Sequence, residues 1–271
     1  MTAVDFERFV ETLADASGEA ILPYFRTAIA ADDKAHGGVF DPVTEADRGA
    51  ESVMRRMIEA TFPGHGIVGE EFGDRNADAE YVWVLDPIDG TKSFISGFPT
   101  WGTLIGLTHR GRPCYGLMHQ PFTRERFTGD GEAAYWRGPA RAGIPGRDGS
   151  IEKRKLTARP CESLARATLM TTSPLLIDPA LRDKFHRVEA ETRLSRYGGD
   201  CYQYCALAAG HVDLVIETNL NPYDIVALIP IVEGAGGVIT TWDGGPAAQG
   251  GAVIAAGDRR VHAAAMELLG R

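Results

Sequence analysis

Cysteine is scarce in this chain of 271 residues. Cys114, Cys161, Cys201 and Cys205 are the whole set, and no two stand in a CxxC or Cys/His spacing. That argues against a disulfide scaffold and against a zinc site of the usual kind. Cys201 and Cys205, four apart, read as packed thiols on one helix face. Long apolar runs are also missing; none reaches the roughly 20 residues of a membrane-spanning helix. Met1 to Glu11 lacks a basic stretch followed by an apolar core, so no secretory signal is expected, and a reducing cytoplasm is the expected compartment. Positive charge is in deficit, with 28 Lys and Arg against 37 Asp and Glu and a net charge of −9. This argues against nucleic acid or an anionic membrane as the main partner and leaves a small molecule or a protein. Internal repeats are absent. The hydrophobic share of 44% and charged share of 24% are those of an ordinary globular protein, long enough for one domain or two.

What the chain does have is a concentrated signal at Tyr81 to Thr91. Tyr81-Val82-Trp83-Val84-Leu85 is apolar, β-branched and aromatic, and predicts a buried strand. Pro87 cannot donate to a sheet ladder and Gly90 permits a tight turn, so Asp86-Pro87-Ile88-Asp89-Gly90-Thr91 ends the strand with two carboxylates on one turn. Like charges brought together this closely are costly unless a cation joins them. Hard divalent cations such as Mg²⁺ take oxygen ligands, and Glu70, Asp86, Asp89 and the Ile88 carbonyl can supply them. Lys92 to Ser96 predicts a short helix, and Gly90 and Thr91 offer backbone N–H groups at its start, where an anion is favoured. The plainer reading is an Asp-Pro turn whose acids cap and solvate a loop.

The surrounding chain reads as follows. Val4 to Phe25 predicts an amphipathic helix, and Ala28 to Phe40 strand ends and a loop carrying Lys34, His36, Gly37 and Gly38. Thr44 and Asp47 have helix-capping spacing ahead of a helix from Arg48 to Ala60. Gly64, Gly66 and Gly69 match a G-x-G-x-x-G string, but it follows a helix and leads into a short strand ending at Glu70, the wrong context for a dinucleotide fingerprint. Thr100–Thr108 and Cys114–His119 predict an antiparallel meander, continued by short strands to Tyr135 and a Gly/Pro/Arg loop over Trp136 to Ser150. Lys155 to Arg159 begins a second half. There Ala167–Thr172 is a strand, Asp178-Pro179 caps a helix through Val188, Leu194–Tyr197 is a strand, and Asp200 N-caps a helix over Cys201–Ala209. A strand over His211–Thr218 places Glu217 at its end. Asp224 then stands at the first turn of a helix from Ile225 to Gly234, followed by strands at Ala235–Thr240 and Gly251–Ala256 and a last helix at Val261–Leu269.

Taken together, Asp41-x-Val-Thr-x-x-Asp47, Gly69-Glu70-Glu71, the apolar strand and Asp86-Pro-Ile-Asp-Gly-Thr91 resemble the inositol monophosphatase superfamily of metal-dependent phosphatases. The resemblance implies an α+β fold, a layered α-β-α-β-α sandwich, as a single phosphatase domain with a metal-site half over about 1–150 and an α/β half over about 151–271. It also implies two or three Mg²⁺ ions: Glu70, Asp86 and the Ile88 carbonyl at the first, Asp86, Asp89 and Asp224 at the second, Glu70 at a weaker third. In the same reading Thr91, Asp47 and Glu70 are catalytic, with Thr91 and Asp47 orienting the attacking water. Asp89, Gly90 and Thr91 border the phosphate. Tyr223 stands where the family has Trp, a departure that keeps an aromatic wall beside Asp224. The plain role of Asp47 is still a cap.

Gly-Asp200-Cys-Tyr-x-Tyr and Ile-Glu217-Thr-Asn219-Leu-Asn221-Pro-Tyr-Asp224 resemble the branch that dephosphorylates histidinol phosphate more than the branch acting on inositol phosphate. A carboxylate at Asp200 or Glu217 suits a substrate with an ammonium and an imidazole, with Asn219 beside them. A cytoplasmic homodimer acting on a small phosphate monoester in histidine biosynthesis is the implied protein. An inositol or broad sugar-phosphate phosphatase is the alternative within the class. Outside it stand a glycosidase using Glu70 and Asp86 as paired carboxylates, and a non-catalytic acidic metal-binding module.

Overall fold

In a computed structural model of the chain, residues 6–28, 32–33, 42–140 and 151–270 are described. The elements in chain order are α1 (Phe6–Ile21), β1 (Asp32–Asp33), β2 (Pro42–Val43), α2 (Glu45–Thr61), β3 (Gly66–Gly69), β4 (Gly73–Arg75), β5 (Tyr81–Asp89), α3 (Thr91–Ile95), β6 (Gly102–His109), β7 (Arg112–Gln120), β8 (Glu125–Gly129), β9 (Ala134–Pro139) and β10 (Ile151–Lys155). They continue with β11 (Thr168–Thr171), α4 (Arg182–Ala190), β12 (Leu194–Tyr197), α5 (Asp200–Ala208), β13 (Leu214–Leu220), α6 (Pro222–Ile225), α7 (Leu228–Gly234), β14 (Val238–Thr241), β15 (Gly251–Ala256) and α8 (Arg259–Gly270). No described helix is long and apolar enough to cross a membrane.

An eight-stranded sheet runs β10-β9-β8-β7-β6-β5-β3-β4, and a five-stranded sheet runs β12-β11-β13-β15-β14. The first is antiparallel except where β3 pairs with β5. Helices α1 and α2 bury Val10, Leu13, Met54 and Ile58 against Ile67, Trp83, Leu85 and Ile105 on one face of that sheet. On its other face α5 and α7 lie between the two sheets, joining Leu104, Met118 and Phe127 to Val215, Val253 and Ala255 through Tyr204, Ile231 and Val232. Helices α4 and α8 cover the far side of the second sheet with Phe185, Val188, Val261 and Leu269. The order is therefore helix, sheet, helix, sheet, helix, the α+β sandwich expected from the sequence.

The middle layer sits unusually close to the first sheet. Gly106 of β6 faces Gly116 of β7, and Gly116 faces Gly129 of β8, so three glycines form one row across three strands. A Cβ on Gly106 would lie 2.8 Å from Val226 Cγ1, on Gly116 1.8 Å from the Ala227 carbonyl oxygen, and on Gly129 2.4 Å from that of Pro230. The absent side chains let the backbone joining α6 to α7 rest directly on the sheet.

Several boundaries differ from the sequence reading. Trp136 to Pro139 belong to strand β9 rather than to a loop, with β10 paired to it, so the first sheet extends to Lys155. The helix expected from Ile225 to Gly234 is broken into α6 and α7, because the Pro230 ring would collide with the carbonyl of Val226, four residues back. Asp178 does not cap α4. Its Oδ1 accepts from the Ala180 N–H at 2.8 Å in a turn, and the helix starts at Arg182. The expected loop residues Lys34, His36, Gly37 and Gly38, and residues 141–150, lie outside the described residues.

Candidate active site

Strand β5 ends in an irregularity that points its acids the same way. Asp86 pairs with Leu104 and Asp89 with Gly102, so three steps on β5 match two on β6. Residues three apart on a regular strand face opposite sides; one extra residue restores a common side. Pro87 has no N–H to lose there, the Ile88 N–H turns to Asp86 Oδ1 at 3.0 Å, and the Thr103 hydroxyl donates to the Pro87 carbonyl at 2.8 Å. Gly90 follows at φ 84°, and a Cβ there would meet the side chain of Asp200 at 2.8 Å. The Thr91 hydroxyl donates back to the Ile88 carbonyl at 3.1 Å.

Two further acids arrive from elsewhere. Glu70 follows β3; its N–H donates to the Leu85 carbonyl at 3.2 Å, and its carboxyl is in hydrogen-bond contact with Asp86. Asp224 sits in the first turn of α6, where its Oδ2 accepts from the Asn221 N–H at 2.6 Å. Asp86, Asp89 and Asp224 each present an oxygen within 4.8 Å of the others. Burial pushes the Asp86 carboxyl well above the usual range, and the charges of Glu70, Asp89 and Asp224 push it further. Asp89 is raised by burial and then by Asp224, Asp200 and Glu217, while the Cys201 N–H at 2.6 Å favours its charged form. Asp224 is pushed up to about 7, chiefly by burial.

A convergent, all-oxygen set of mutually repelling acids fits a hard divalent cation. It also pulls the stability of the metal-free protein in one direction with pH, against the opposite pull of the buried His119, which is lowered to about 4 by burial. An unfolded Asp ionises near 3.8, whereas Asp224 keeps its proton to about 7. Between those values the folded chain binds more protons than the unfolded one, so stability falls as pH rises, by on the order of 1.4 kcal/mol per pH unit for one such group. In EDTA the melting temperature is expected to drop from pH 5 to pH 7, and the rise on adding Mg²⁺ to grow over that interval. Scanning fluorimetry checks both; a metal-free protein that gains stability over this range would contradict the assignment.

The remaining residues expected at the site from the sequence are each held in a different setting. Asp47 and Thr44 form the expected cap of α2, with Asp47 Oδ2 accepting from the Thr44 N–H at 2.9 Å and its hydroxyl at 2.5 Å. Glu217 is buried, raised by that burial, and accepts from the Thr172 N–H at 3.0 Å and the Tyr204 hydroxyl at 2.9 Å. Asn219, at φ 63°, donates to the Leu176 carbonyl at 3.2 Å and lies exposed at the end of β13. Asp200 is not the N-cap of α5. Gly199 holds that position, Asp200 has φ 42°, and its Oδ2 accepts from the Ser93 hydroxyl at 2.5 Å and the Thr100 hydroxyl at 3.0 Å. It ties α5 to α3 across the turn. Sequence reasoning missed Ser93 and Thr100, whose hydroxyls meet Asp200 across 107 and 100 residues with no local pattern to announce them, and it named Tyr204 only as part of a motif, without its bond to Glu217.

The inositol monophosphatase family model matches residues 4–270. Among curated relatives, a bifunctional phosphatase IMPL2, chloroplastic, of Arabidopsis thaliana is 42% identical over 99% of this chain and 77% of its own length. A histidinol-phosphatase of Chlorobaculum parvum is 34% identical over 83% of this chain and 81% of its own. Among solved structures, an inositol monophosphatase from Zymomonas mobilis matches with a TM-score of 0.82 at 38% identity, covering 99% of this chain and 100% of that one.

Proposed function

Because the chain belongs to the inositol monophosphatase family, a family of phosphatases, we propose that it is an Mg²⁺-dependent hydrolase of L-histidinol phosphate. The observation that carries the metal-dependent reading is the convergence of Asp86, Asp89 and Asp224 within 4.8 Å. Glu70, Asp86, the Ile88 carbonyl, Asp89 and Asp224 would hold the cations. When bound, divalent cations supply positive charge for the phosphoryl oxygens and Lewis acidity for an attacking water. The chain's own groups do the positioning. Gly90 and Thr91 present backbone N–H groups to the phosphate, and the Thr91 hydroxyl, Asp47 and Glu70 orient the water in line with the bond that breaks. The phosphoryl group passes to water, and the substrate oxygen leaves with the bonding pair and takes up a proton.

The substrate preference rests on negative charge beyond the metal ligands. Asp200 and Glu217 both act on Asp89 through space, a setting that favours a cationic leaving group over a neutral polyol. The histidinol-phosphatase among the relatives supports the same choice. One observation favours the inositol phosphate reading: Asp200 already accepts from two hydroxyls of the protein, which leaves it less to offer a substrate. Phosphate release in Mg²⁺ from histidinol phosphate and inositol 1-phosphate separates the two. The expected kcat/KM is at least about tenfold higher for histidinol phosphate, since one well-placed ion pair is worth over a kcal/mol. A reversed ratio would select the inositol reading. EDTA is expected to silence both reactions, and hydrolysis of a glycoside in EDTA would point to paired-carboxylate chemistry instead.

A further inference from the structure

Glu51 is a glutamate in the middle of α2, yet its side chain is fully buried, 0% exposed. Burial of a carboxylate is costly unless donors surround it. Its donors come from the turn that carries Glu70. Oε2 accepts from the Glu71 N–H at 2.8 Å, and Oε1 accepts from the Phe72 N–H at 3.2 Å and from Arg55 Nε at 2.7 Å. Arg55 in turn donates to the Gly73 carbonyl, closing a grip on residues 71–73. Gly69 completes the fit: a Cβ there would lie 2.1 Å from Glu51 Oε1. Glu70 is therefore fixed from both sides, by its own N–H on Leu85, the residue before Asp86, and by the next two N–H groups on Glu51.

We infer that Glu51 is a positioning residue for the metal site, holding the 69–73 turn so that the Glu70 carboxylate meets Asp86 at the place a cation occupies. The inference rests on the reading of Glu70 as a ligand. Without Glu51, the Glu71 and Phe72 N–H groups and Arg55 lose their acceptor, and the turn is free to rotate Glu70 away from β5. A purely structural role would lower stability and leave the affinity of the folded protein for metal untouched; a positioning role moves the affinity itself.

The test is Mn²⁺ binding to full-length, metal-free protein, by calorimetry and by the electron paramagnetic resonance signal of the free ion. Glu51→Ala is expected to weaken binding 10- to 100-fold, the usual range for groups that orient ligands. Glu51→Gln, which keeps an acceptor oxygen, should fall between Glu51→Ala and wild type. Asp213→Asn serves as the control. Asp213 is also buried, accepting from Arg159 and the Thr168 N–H, and this variant should lose stability with Mn²⁺ affinity unchanged. If Glu51→Ala does not yield folded protein, Glu51→Gln decides. A folded Glu51 variant that binds Mn²⁺ like wild type, while Glu70→Gln binds weakly, would overturn the positioning role. Wild-type affinity in Glu70→Gln would remove the ligand reading and this inference with it.

Discussion

Replacing Asp86 by asparagine is expected to silence Mg²⁺-dependent phosphate release and, at the same time, to raise the melting temperature of the metal-free protein. Asparagine keeps the shape and an Oδ1 that can still accept from the Ile88 N–H. What it lacks is the charge. A cation's contribution to a transferring phosphoryl group is several kcal/mol, so losing one ligand from this set should cost on the order of 10³-fold in kcat/KM. The stability change has the opposite sign. Without a cation the Asp86 carboxyl is buried beside Glu70, Asp89 and Asp224 and is pushed well above its ordinary range. A neutral amide escapes that penalty. A gain of 1 kcal/mol raises the melting temperature by roughly 2–4 °C in a chain of this size, so a rise of a few degrees in EDTA is expected. In saturating Mg²⁺ the order should invert, because wild type gains binding energy that the variant has lost. Melting curves with and without EDTA, read beside the phosphate-release rate, check all of this. A variant less stable than wild type in EDTA would show that repulsion between the acids is not what the cation relieves.

Gly116→Ala is expected to yield little or no folded protein. The new methyl would sit 1.8 Å from the Ala227 carbonyl oxygen. The obstacle is backbone, so no side-chain rotation relieves it; of its neighbours in the row, Gly129 also meets backbone, at 2.4 Å, and Gly106 meets Val226 Cγ1 at 2.8 Å. Overpacking a core against side chains costs about 1–3 kcal/mol. Displacing a peptide segment that also carries the α6–α7 junction should exceed that and consume much of the roughly 5–15 kcal/mol typical of a folded domain. Gly49→Ala supplies the contrast. Gly49 lies on the exposed side of α2 with nothing within 4 Å of the place its new methyl would take, so the same change there should add up to about 1 kcal/mol through helix propensity. Soluble yield and urea unfolding of the two variants distinguish position from chemistry; a stable Gly116→Ala protein would mean the helix does not bear on the sheet as described.

The parts of the site that were legible in the sequence are those written in consecutive residues. An apolar run closed by Pro87 and Gly90 announces a strand that stops, and Asp86 and Asp89 announce where its charge collects. Thr44 and Asp47 announce a cap because capping is a local bond, and the cap is present. Asp224 stands at the start of a helix because carboxylates suit that end. What was not legible depends on chain segments meeting from afar. Asp200 reads as an N-cap until Ser93 and Thr100 are brought to it, and its left-handed backbone leaves no trace in composition. Glu51 and Arg55 stand one helical turn apart with no mark in their spacing of what they meet; only the arrival of residues 69–73 makes them a clamp. Trp136 to Pro139 carry loop-like residues, and only pairing with β8 and β10 makes them a strand.

The row at Gly106, Gly116 and Gly129 also bears on how the acids can respond to ions of different radius. Asp224 enters on α6, immediately before the segment that rests on those glycines, whereas Asp86 belongs to the sheet itself. Contact between peptide groups has no rotamers to exchange, so the spacing between the anchors of these two carboxylates is rigid. Adjustment to a wider or narrower cation therefore falls to the short side chains themselves, rather than to any breathing of the interior.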